Sequence, residues 1–349
     1  MDKMCLATAA IAAGLALPVT ALAVEDDVTL LKQAQEQFKQ LPKDMATPDF
    51  PVTQDRVQLG RLLFFDPRLS VDANVSCATC HQPSLYGTGA LPKSIGVRQR
   101  IQARNAPTVL NTALHFVNHW RGERESVEDQ AARALTAPVS SGQPNEQAVI
   151  DRLESISGYV PLFEAAFPGE QHPVDVRNIG KAIGAYERTL VTPSPFDRYL
   201  AGDVNALSAT ARAGLEKFIQ TGCAACHNGV GVGGHMYQKF GVVEDYWVAT
   251  GSKDIDKGRA EITKDSADLY IFKVPSLRNV AMTAPYFHDG SVATLPEAVR
   301  VMARVQLGAK LNDGDIRDIV AFLETLTGNL PADFTAVPIL PPATVAAPK

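Results

Sequence analysis

Apolar positions along this chain fall at helical spacing over most of its length and almost nowhere in the strict alternation of a half-buried strand. Val28 to Leu41 (VTLLKQAQEQFKQL) repeats apolar residues three and four apart and predicts a leading helix. Lys43 to Pro51 breaks the pattern with prolines and reads as a linker. Arg56 to Phe65 predicts an amphipathic helix that Asp66-Pro67 stops, because proline has no amide donor and its ring crowds the preceding turn. Leu207-Ser208-Ala209 reads as the cap of a helix over Ala211 to Gln220, and Ile316 to Leu326 as a final helix ended by Gly328. The pattern predicts a mainly α fold with long ordered loops.

The N-terminus has a different pattern. Leu6 to Leu22 is apolar and alanine-rich, and Ala21-Leu22-Ala23 precedes the acidic run Glu25-Asp26-Asp27. That is the order of a secretory leader cleaved after Ala23, although Lys3 alone makes a thin basic region. The run is short for a membrane span. The chain therefore divides into a signal peptide (1–23), an N-terminal helix and linker (24–52), a first domain (53–200), a second domain (201–330) and a proline- and alanine-rich flexible tail (331–349). The mature protein is expected in a bacterial periplasm, with no stable membrane insertion.

Composition narrows the class. A chain of 349 residues can bury two separate cores. The formal charge of −5 and the lack of a basic block argue against nucleic acid and suit a small basic redox partner.

The chemistry lies in the cysteines. Four of the five stand in two copies of one pattern, Cys77-Ala78-Thr79-Cys80-His81 and Cys223-Ala224-Ala225-Cys226-His227. In each, paired thiols can form thioethers to a porphyrin while the adjacent histidine ligates its iron. A redox dithiol would need a βαβ setting, and a zinc site would need no histidine after each second cysteine. Two covalently attached haem c groups are expected. Gly60-Arg61-Leu62-Leu63-Phe64 precedes the first motif and Gly214-Leu215-Glu216-Lys217-Phe218 the second, which suggests an internal duplication of a cytochrome-c-like unit; two ordinary amphipathic helices is the plainer alternative. Gly229 to Gly234 lacks the lysine and strand of a phosphate loop.

With these residues stands a larger set: Arg104-Asn105-Ala106-Pro107-Thr108, Trp120 with Gly122, Pro195-Phe196-Asp197-Arg198, Leu277-Arg278-Asn279-Val280, and Thr283-Ala284-Pro285-Tyr286-Phe287-His288-Asp289-Gly290. In them the chain resembles the bacterial di-haem cytochrome c peroxidase family, including its methylamine-utilisation branch, over about Ala34 to Gly328. The resemblance implies reduction of hydrogen peroxide to water at the N-terminal haem. The C-terminal haem would receive electrons from a small cytochrome c or cupredoxin. It makes His81 and His227 the proximal ligands and Met302 the distal ligand of the second iron, where a core methionine is the plainer alternative. It places Trp120 between the haems and Gln130 in the peroxidatic pocket. It implies one calcium ion held by the Asn105 side chain and the carbonyls of Thr283 and Pro285. Relatives often form homodimers, so a second copy of the chain is a further candidate partner.

Two positions depart from the family pattern. Many members carry a distal histidine after the Ser-Ile-Gly element, but here Ser94-Ile95-Gly96 leads to Val97, which cannot ligate iron. An open peroxidatic haem, active without prior reduction and able to share a high-valent state with the second haem, is expected; His115 and His119 are the nearby alternative ligands. The usual acid–base glutamate is also displaced. The segment runs Pro138-Val139-Ser140-Ser141-Gly142-Gln143-Pro144-Asn145-Glu146, so Glu146 either refolds toward the site or caps the next helix. The leading function is a peroxidase. An oxidase of protein side chains and a di-haem electron carrier or redox sensor remain as alternatives.

Overall fold

The computed structural model describes residues 19–343, with side chains from Asp27 onward; residues 1–18, which hold most of the expected leader, lie outside them. Helices carry the fold. They are α1 (Val19–Gln37), α2 (Gln54–Phe65), α3 (Cys77–Cys80), α4 (Val127–Ala134), α5 (Glu146–Glu154), α6 (Val160–Ala166), α7 (Val176–Glu187), α8 (Pro195–Leu200), α9 (Ala209–Thr221), α10 (Tyr246–Thr250), α11 (Ala260–Thr263), α12 (Leu295–Leu307), α13 (Asp313–Glu324) and α14 (Ala332–Thr335). Among the described residues the sheet is one antiparallel pair, β1 (Tyr237–Lys239) and β2 (Ile271–Lys273), with Tyr237 opposite Lys273. Long loops connect the rest, so the class is mainly α.

Two apolar cores form. The first gathers Leu59, Leu63 and Phe64 of α2 with Phe163, Ile179 and Ile183; the second gathers Leu215 and Phe218 of α9 with Val301, Ile319 and Phe322. In each lobe the helix leading into the CxxCH motif crosses a later helix at a glycine. A Cβ on Gly60 would collide with the Ala182 carbonyl of α7, and one on Gly214 with the Asp318 carbonyl of α13. Glycine is what allows these backbones to meet.

The chain's two ends cross over. Leu30, Ala34 and Phe38 of the leading segment pack in the second core, whereas Phe334 of α14 is buried in the first, 6.4 Å from the Phe64 ring. The expected flexible tail is corrected here through residue 343. Arg61 donates to the carbonyls of Asp333 and Ala336, and Arg68 to that of Pro341. One buried aromatic and two guanidinium clamps outweigh a composition that reads as loose. The leading helix ends at Gln37 and not at Leu41, because Gly229 donates to the Gln37 carbonyl at 2.8 Å and Phe38 pairs with that loop. Phe196, Tyr199 and Leu200 of α8 pack in the second core.

Candidate functional site: two haem cradles and their junction

The first CxxCH is built on one helical turn. Ser76 opens α3, and its amide donates to the Thr79 hydroxyl at 2.9 Å. His81 follows the turn and its Nδ1–H donates to the Gly87 carbonyl at 3.1 Å. That bond fixes the tautomer and leaves Nε2 as the ligating nitrogen. Burial keeps the imidazole below its ordinary range and pushes the Cys77 thiol up to about 12. The second motif follows α9, which ends at Gly222 in the left-handed region. Burial lowers His227 to about 4, and its Nδ1 is buried without a hydrogen bond.

Neutral, buried imidazoles directly after paired thiols fit a porphyrin iron at both places, and all four cysteines are free. Among the described residues no group of three or more His, Cys, Asp or Glu is placed to hold a metal ion.

Trp120 lies where the two lobes meet, its carbonyl accepting from the Lys273 amide at 2.8 Å. Its Nε1–H donates to the Asn105 carbonyl at 2.9 Å, and its ring stands edge-on to His288 at 6.3 Å. The Asn105 amide donates to the His288 carbonyl at 2.7 Å, which joins the first-lobe loop to the second. An ion network surrounds this junction. Arg104 holds Asp256 at 2.6 and 2.8 Å and reaches Glu261; Arg121 joins Glu261 to Glu123; His119 Nδ1 faces Glu123 Oε1 at 3.3 Å. Burial alone would raise Glu123, but His119 and Arg121 outweigh it and hold the carboxyl well below its usual range. Arg104 does the same for Asp256.

The network was not legible in the sequence. The Arg121-Gly122-Glu123-Arg124-Glu125 run was the available signal, but Glu261, which ties Arg121 to the second lobe, lies 140 residues away.

The other predicted residues fall as follows. Gln130 is half-buried on α4. Glu146 stands exposed in the first turn of α5, capped by Asn145, where a carboxylate favours the helix N-terminus. Met302 is half-buried on α12, between Val301 and the buried Ala303. The Asn105 side-chain amide donates to the Leu91 carbonyl at 2.9 Å, and Thr283 and Pro285 precede His288 in the loop that meets Asn105. Val97 is buried at 1% exposure and lines a cavity of about 200 Å³ with Val71, Arg98, Arg100 and Gln143.

Two CxxCH motifs on separate helical lobes are consistent with a di-haem c-type architecture. A family model for di-haem cytochrome c peroxidase matches residues 54–205, and one for cytochrome c matches residues 211–327. Cytochrome c551 peroxidase of Pseudomonas aeruginosa is 41% identical, over 91% of this chain and 91% of its own. Methylamine utilization protein MauG of Methylorubrum extorquens is 36% identical, over 93% and 92%. The crystal structure of a MauG-like protein associated with microbial copper homeostasis superposes with a TM-score of 0.75 at 28% identity, covering 86% of this chain and 97% of that one. The chain belongs to the bacterial di-haem cytochrome c peroxidase family, which includes the methylamine-utilisation branch. It is a cytochrome-c-peroxidase-type oxidoreductase acting on hydrogen peroxide.

Proposed function

We propose that this chain is a periplasmic peroxidase that reacts in its fully oxidised state, with no prior reduction, and is then re-reduced by a small cytochrome c or cupredoxin. Val97 carries this reading. It sits in a loop closed by its own amide to the Ser140 carbonyl (3.2 Å) and by Gly96 to the Arg100 carbonyl (2.9 Å), with its side chain against Gly142. Valine offers no nitrogen to ligate the first haem from that position. The 41% identity to a cytochrome c551 peroxidase supports the peroxidase activity.

The bound haems would supply the changes of oxidation state. The chain's own residues bind, orient and move protons. His81, His227 and Met302 would hold the haem irons. Gln130 would hydrogen-bond the substrate. The exposed placement of Glu146 supports Gln130, with ordered water, as the group that organises proton transfer. His119 is oriented by Glu123 through Nδ1. Asn105, Thr283 and Pro285 would hold the calcium ion at the lobe junction, where oxygen donors suit a hard cation. The matching glycine crossings of α2 with α7 and α9 with α13 support an internal duplication.

Among the described residues no helix is long and apolar enough to cross a membrane. The alternative of a protein side-chain oxidase draws on the same Val97, since an open site would suit either reaction; Met302 as a ligand of the second haem would favour the peroxidase.

The test is rapid-mixing spectroscopy of the ferric, haem-loaded protein with one equivalent of peroxide. Prompt loss of the ferric spectrum is expected. Reaction only after one-electron reduction would overturn the reading. Val97→His should impose that reduction requirement on the protein.

A further inference from the structure

Lys273 of β2 is buried at 6% exposure. Its Nζ lies 3.2 Å from His115 Nδ1, and that is the only side-chain hydrogen bond it makes among the described residues. No carboxylate lies within 4.0 Å of it there. A lysine ammonium has three protons to donate and accepts nothing, so His115 Nδ1 is the acceptor and the ring proton sits on Nε2. His115 Nε2 is itself buried with no partner. Lys273 Nζ and His115 Nε2, one from each lobe, therefore lie at one junction with no anionic acceptor among the described residues. An unmet buried donor costs about 1–3 kcal/mol, and an unpaired buried charge costs more. The missing piece is an anion.

The second haem cradle is next to it. Gly233 and Gly234 separate the two imidazoles: a Cβ on Gly233 would stand 3.1 Å from His227 Nδ1, and one on Gly234 would stand 2.5 Å from His115 Cδ2. Lys273 is two residues before Pro275, whose carbonyl faces His227, and its amide donates to the Trp120 carbonyl at 2.8 Å. The other charged or titratable groups around it offer no free acceptor. Tyr237, across the strand pair, is engaged by Arg259. Glu123, beyond Tyr237, is committed to Arg121 and His119. His235 follows Gly234 and is cationic or neutral, never anionic.

We propose that Lys273 Nζ, held in place by His115 Nδ1, binds a propionate carboxylate of the second haem. The proposal rests on Cys223, Cys226 and His227 carrying a haem. Bound this way, the carboxylate stays ionised and the buried cation beside it favours the ferrous state of that haem. It also ties the haem edge to the segment that holds Trp120, so that lobe docking and haem seating depend on each other.

Spectroelectrochemistry of the haem-loaded protein, with each haem followed separately, tests this. Lys273→Gln should lower the potential of the second haem. It should also make that potential fall as pH rises between about 5 and 8, because the unpaired carboxylate now titrates upon reduction. Lys273→Arg should restore a flat profile, a rescue that a merely structural lysine would not need. His115→Gln keeps the ammonium in place and should give a smaller shift of the same sign; it serves also if Lys273→Gln does not fold. An unchanged potential and slope in both variants, or a shift confined to the first haem, would overturn the proposal. A wild-type protein that carries no haem on Cys223 and Cys226 by peptide mapping would instead remove the reading beneath it.

Discussion

The Trp120 indole and the Asn105 carbonyl are joined at 2.9 Å, while the Asn105 amide donates to the His288 carbonyl. One residue thus fixes the orientation of the indole and holds the second lobe's loop beside it. Trp120→Phe keeps an aromatic ring but removes the bond and part of the packing. The fold should survive at a cost of about 1–2 kcal/mol. Electron exchange between the haems should slow, and rapid-mixing measurement of haem–haem equilibration after one-electron reduction would show it. An unchanged exchange rate would make Trp120 only a spacer.

Gly60 and Gly214 predict a matched pair of defects. Each backbone crossing leaves no room for a methyl group, and the obstacle in each case is a carbonyl that cannot swing away. Overpacking of this kind costs typically about 1–3 kcal/mol, and a rigid backbone contact belongs at the upper end. Gly60→Ala should destabilise the first lobe and Gly214→Ala the second, read by hydrogen exchange in α7 and α13 respectively.

These glycines mark how far the sequence is legible. The helices leading into each motif and the CxxCH cradles follow from local spacing, capping and stop signals. The partner helices that meet Gly60 and Gly214, over a hundred residues onward in each case, do not. The same limit hid the Lys273–His115 pair and the Arg104–Asp256 contact, which join residues 158 and 152 positions apart. A lone lysine in a short apolar run looks like an ordinary strand residue until tertiary packing removes its water. The tail shows the reverse error. Its proline and alanine content reads as loose, yet one phenylalanine and two distant arginines decide its place.

That tail yields its own prediction. Phe334 is fully buried against Phe64, and deleting a buried phenylalanine side chain costs about 3–5 kcal/mol. Phe334→Ala should lower the first lobe's unfolding midpoint in urea and leave the second lobe's largely in place. Removal of residues 331–349 should do at least as much. A chain that loses the tail with no change in stability would show that the docking adds nothing to the first core.

The His119–Glu123–Arg121 cluster predicts a pH dependence. Glu123 is mostly buried, at 16% side-chain exposure, and its neighbours hold its carboxyl well below the range it has in the unfolded chain. The unfolded state therefore binds a proton first as pH falls. The cluster's stabilisation is complete above about pH 4.3, the unfolded carboxyl's range, and is lost progressively as acid titrates the folded carboxylate. Glu123→Gln removes the charge but keeps the shape. It should destabilise the protein by about 1–3 kcal/mol at neutral pH, because Arg121 and His119 lose a charged acceptor. The gap between wild type and variant should close as the pH is taken below about 4. Denaturant titrations at a series of pH values would measure it. Because the carboxylate is shielded from solvent, added salt should narrow the neutral-pH gap only slightly. A gap that stays constant into acid would mean that Glu123 acts through packing and not through its charge, and would remove the carboxylate's part in orienting His119.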